Sequence, residues 1–127
     1  MRVTVEAFSG TTEHRTVDSA LQRFAKLAMD ADGPVALHAH TCVVASVDPD
    51  SDWHSPEKAI FDAMRFVVLR EYTSADCAPT GKAAITSALA DIINGPTVGD
   101  AEAVCGIIEA LIGGQDVWGA LHDHGIL

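Results

Sequence analysis

The longest apolar, β-branched run in the chain is Pro34–Asp48, PVALHAHTCVVASVD, and it reads as the central strand. Val35, Leu37, Ala39, Thr41 and Val43 alternate with Ala36, His38, His40, Cys42 and Val44. A strand sends successive side chains to opposite faces, so each set shares one face. The run is long against a usual strand of about 5–6 residues, which leaves open a bend, a bulge or a hairpin. A bulge between His40 and Val43 would undo the shared face. Upstream, Val3, Val5 and Ala7 alternate with Arg2, Thr4 and Glu6, the pattern of a half-buried strand over Arg2–Phe8. Ser9–Thr12 reads as a turn, and Glu13–Val17 either as a short returning arm or as a lead into the next helix.

Every other apolar pattern has the helical period. Leu21, Phe24, Leu27 and Ala28 form a stripe from Val17 onward, with Thr16 or Asp18 as N-cap and Asp32-Gly33-Pro34 as the stop. Ser55-Pro56-Glu57 starts a second helix that runs to about Tyr72. Its apolar residues, among them Ile60, Phe61, Met64, Phe66, Val67, Val68 and Leu69, occupy most of its circumference, so it is central in the fold or lies at an oligomer interface. Thr73–Gly81 is a loop. Lys82–Asn94 follows as a helix with Ile85, Leu89, Ile92 and Ile93 on one stripe. The next helix, capped by Asp100 and striped by Val104, Ile107, Ile108 and Leu111, pairs with it as a helical hairpin. Asp116 caps a last short helix through His122. Gly106 and Gly119 fall inside helices, where each costs about 1 kcal/mol relative to Ala, and so mark close helix approaches.

The expected fold class is therefore α+β: a small sheet of about two to four strands from the N-terminal third, covered by about five helices, with an all-helical C-terminal half. The second half supplies no strands for a doubly wound parallel sheet. A length of 127 residues suits a single domain spanning residues 1–127.

Charge narrows the partners. With 8 Lys and Arg against 18 Asp and Glu, the net charge is -10, so little is on offer to phosphates and direct binding to nucleic acid or to an anionic membrane is disfavoured. A basic protein partner, cation binding, a nucleic-acid mimic or plain solubility fits the balance. Met1 is followed by an alternating segment rather than by a basic region and an apolar block, and Cys42, Cys77 and Cys105 are odd in number and widely spaced. Both features point to the cytosol. An Ala-, Val- and Asp-rich, Lys-poor composition is also what GC-rich coding yields, as in a high-GC bacterium or one of its phages.

Three groups of residues carry candidate chemistry. His38, His40 and Cys42, on one face of one strand, have the donor types of a zinc site, with His54, His122 or His124 as further ligands. Such a site would be structural if closed and hydrolytic if one position were left to water. Structural histidines under a helix would give the same pattern. His122-Asp123-His124 suits the negative end of a helix dipole. Asp48, Asp50 and Asp52 match the first three ligand positions of an EF-hand loop, but Trp53 stands where its glycine and Ala59 where its bidentate glutamate belong. Gly81-Lys82 lacks the first glycine, the Ser or Thr and the preceding strand of a phosphate-binding loop. No organic-cofactor motif is present. The leading functional expectation is a small acidic protein-binding or regulatory module, phage-encoded or accessory, acting through apolar helix surface as a homodimer. The alternative is a zinc-type hydrolase or metal-stabilised domain built on His38, His40 and Cys42.

Overall fold

The computed structural model describes residues 3–7, 10–39, 42–51, 55–71 and 79–126. The α+β expectation holds: a four-stranded antiparallel sheet from the N-terminal part of the chain, with five α-helices and a helical C-terminal half. The strands are β1 (Val3–Ala7), β2 (Gly10–His14), β3 (Val35–Ala39) and β4 (Cys42–Val47), in the order β2-β1-β3-β4. Pro34–Asp48 is thus a hairpin rather than one strand, running from Val35 opposite Val47 to Ala39 opposite Cys42. Size explains the division. A single strand over that run would extend about 50 Å at ~3.3 Å per residue, against a radius of gyration of about 14 Å for a chain this long. Gly10 has φ +136°, open to glycine but strained for other residues. From there β2 takes up most of the segment expected as turn.

Alternation then sorts the sheet into two faces. Val3, Val5, Val35, Leu37, Ala39, Ala45 and Val47 are buried under the helices, and Thr4, Glu6, Ala36, His38 and Ser46 lie on the other face. A bulge interrupts β3–β4, where Leu37 opposes Ala45 but His38 opposes Val43, leaving Val44 as the additional residue. The shift carries Val43 to the open face, where it is 59% exposed.

Helix α1 (Val17–Met29) packs across β1 and β3 and α2 (Pro56–Phe66) against β4. Thr16 is the N-cap of α1, accepting the Ser19 N–H at 3.1 Å. Asp18 instead accepts the Val117 N–H at 2.9 Å, tying α1 to the C-terminal region. Ser55 caps α2 and Pro56 begins it. The helix expected through Tyr72 changes at Val67–Glu71 into a π-helical turn. Ile60, Phe61, Met64, Val67 and Val68 are at most 1% exposed and so are covered within the chain, whereas Leu69 of the same segment is 48% exposed.

Helices α3 (Pro79–Asn94) and α4 (Val98–Ile112) pack against each other. Thr97, not Asp100, is the N-cap of α4. Its hydroxyl accepts the Asp100 N–H at 3.1 Å while the Asp100 carboxylate accepts the Thr97 N–H at 3.3 Å, a reciprocal pair that satisfies two end donors. Helix α4 closes with Gly114 at φ +102° and the Gln115 N–H on the Ala110 carbonyl. The Gln22 side chain donates to the Gly114 and Gln115 carbonyls, fastening that corner to α1. Asp116 caps α5 (Val117–Asp123) through the Gly119 N–H at 2.7 Å. A Cβ at Gly119 would meet that same Asp116 carboxylate, so the glycine serves its own cap rather than a helix crossing. Among the described residues, no helix is long and apolar enough to cross a membrane.

Candidate functional site

Of His38, His40 and Cys42, the hairpin puts His38 and Cys42 on different faces of the sheet. His38 lies on β3 opposite Val43, whereas Cys42 lies on β4 opposite Ala39, one residue out of step and so on the other side of the sheet. His40 is outside the described residues, as are Asp52, Trp53, His54 and Cys77. His38 Nε2 sits 3.2 Å from the Glu6 carboxylate across β1, at ion-pair distance but off-line for a hydrogen bond. Cys42 and Cys105 are free and exposed. His122 lies 4.0 Å from its neighbour Asp123, and the His124 ring instead rests over Gly106 of α4. Asp48 Oδ1 accepts the Asp50 N–H at 3.0 Å, an Asx turn that ends β4. Among the described residues, no three His, Cys, Asp or Glu side chains come together in a way that would hold a metal ion.

What the fold does build is a groove of about 480 Å³ beside β4. One wall is six consecutive residues, Val43 to Asp48. A groove over a sheet face would meet alternate residues; consecutive ones mean that it follows the strand's edge. The opposite wall is Ser55, Lys58, Ala59 and Asp62, one face of α2 at helical spacing. Ala59 is buried between them, while Lys58 and Asp62 are exposed. The stretch of β4 so lined, Val43 to Val47, is about 16 Å long at ~3.3 Å per residue.

β4 pairs with β3 on one side only, and no described strand adjoins its outer side. Proteins guard such edges with charge, Pro, bulges or short length, because the outward N–H and C=O groups invite another chain. The two edges of this sheet differ in that respect. β2, GTTEH, carries Glu13 and His14; β4, CVVASV, has no charged residue. Its one irregularity is the bulge at Val44, and the charges begin beyond it, at Asp48 and on α2.

No local motif in the sequence marks this groove. The uncharged composition of Cys42–Val47 is visible in the sequence, but its meaning depends on β4 being an edge, and the groove exists because α2 runs alongside. No protein-family model, no curated protein and no solved structure matches the chain.

Proposed function

We propose that this chain is a protein-binding module that takes an extended segment of a partner along the outer edge of β4. The single observation that carries the reading is the pairing of an uncharged open edge with a groove running its length against α2. Backbone hydrogen bonding to an edge supplies affinity that is independent of sequence, and the flanking helix supplies side-chain contacts, the division of labour in strand addition. Of the apolar helix surface expected to bind, Val68, Leu89, Ile107 and Leu111 are fully buried, while Leu69, Val98 and Ile112 are exposed. Binding through the edge uses a strand side that no described strand pairs with.

The test is selection of peptides from a random displayed library on the immobilised chain, followed by hydrogen exchange of the chain with a selected peptide synthesised free. The expected result is slowed exchange at the amides of residues 43–48. Peptides that bind while leaving those amides at their free rates would place the binding surface elsewhere and overturn the proposal.

A further inference from the structure

Charge indicates what kind of segment this edge takes. Asp48 stands at the end of the strand wall and Asp62 on the helix wall, and Lys58 is the one cation among the described lining residues. Asp62 is only loosely engaged, 3.9 Å from Arg65 on its own helix, and both are substantially exposed. The chain as a whole carries a net charge of -10. Such a field draws cations toward it and raises their encounter rate. A second copy would bring the same net charge and the same two aspartates to the same place, a like-charge approach that costs energy. A partner strand of opposite sign meets neither obstacle.

We infer that the occupant is an extended, lysine- or arginine-bearing segment of another protein, paired to β4 through its backbone with its basic side chains set against Asp48 and Asp62. This rests on the edge-binding reading above and adds the chemistry of the partner. In a strand added to a sheet edge, alternate side chains fall on one face of the sheet, so basic residues two apart share a face. The residues between them lie on the other face of the extended sheet and are free to be apolar.

Three capped ten-residue peptides test it, alternating Val with Lys, Val with Ser, and Val with Glu. Each is titrated against the full chain by fluorescence anisotropy at low and high salt, with hydrogen exchange at saturation. The Val–Lys peptide is expected to bind at least about tenfold tighter than the Val–Ser peptide and to protect residues 43–48, with the preference shrinking at high salt. Asp48→Asn with Asp62→Asn should weaken the Val–Lys peptide by about three- to tenfold, two exposed charge pairs' worth, and the Val–Ser peptide by less. Asn keeps the acceptor for the Asp50 N–H, so the unfolding midpoint should hold. If the Val–Ser peptide binds as tightly as Val–Lys and protects β4, edge binding stands and the charge inference falls. If Val–Lys binds without protecting residues 43–48, or indifferently to the two Asn substitutions, the charge inference falls as well. If no peptide protects β4, both fall; should sedimentation then show a dimer with protected 43–48 amides, the occupant is a second copy.

Discussion

Gly106→Ala sets two effects against each other, and the structure decides the sign. Gly106 lies inside α4, where alanine is favoured by about 1 kcal/mol through lower backbone entropy in the unfolded chain and better helix propensity. A Cβ there would stand 2.6 Å from His124 Cε1, with Nδ1 at 3.2 Å and Nε2 at 3.5 Å, so the ring must move. His124 is exposed and the contact is with the far end of a side chain that turns about two bonds. Displacing it gives up a few atom contacts at about 0.1–0.2 kcal/mol each, on the order of 0.5 kcal/mol in all. The net expectation is a stabilisation of about 0.5 kcal/mol, seen as a rise of roughly 2 °C in Tm for a chain of this size. Combined with His124→Ala, the obstacle is gone and the gain should return to about 1 kcal/mol, a coupling of about 0.5 kcal/mol between the sites. Urea unfolding followed by circular dichroism on the four proteins of the cycle measures it. A loss of more than about 1 kcal/mol that persists in the His124→Ala background would refute the reasoning, because the obstruction would then lie in something other than the ring.

Four further outcomes follow from the geometry. Phe61→Ala removes a side chain that is 1% exposed and should lower stability by about 3–5 kcal/mol in the same urea assay, at every protein concentration. Val68→Asp buries an unpaired carboxylate at a fully covered position and should abolish cooperative unfolding; a folded variant that only dissociates by sedimentation would instead place Val68 at an interface between copies. Thr97→Ala dismantles the reciprocal cap of α4, and its urea midpoint should report a loss of about 1 kcal/mol. Burial, and then the nearby Arg23 guanidinium, hold the His14 imidazole below its ordinary value of 6.5. The unfolded chain therefore takes up this proton more readily than the folded one, so the contribution is intact above 6.5 and declines as pH falls through 6.5 toward the lower folded value. Urea midpoints measured from pH 7.5 down to 5 should fall less steeply in His14→Gln than in the unsubstituted chain, and equal slopes would count against this assignment.

Local pattern determined the element types and most of their ends. The stripe of Leu21, Phe24 and Ala28 built α1, Ser55-Pro56 began α2, and the alternation of Val3 and Val5 made β1. These features depend on periodicity and on end groups within a few residues, which a sequence displays directly. The Thr97 cap was legible too, as Thr followed three residues later by Asp, although Asp100 was the more conspicuous acid.

What only the tertiary structure decided depends on residues far apart in the chain. Whether Pro34–Asp48 ran on or folded back was a question of fitting the sheet beneath two helices, and its answer separated His38 from Cys42. Whether the apolar surface of α2 faced the core or a partner turned on how many neighbours reached it, and Ile60, Phe61 and Met64 proved to be covered within the chain. That β4 is an edge follows from strand order, and the groove beside it from where α2 lies. Neither has a local signature, because the side chains that line the groove take their meaning from which backbone happens to lie across from them.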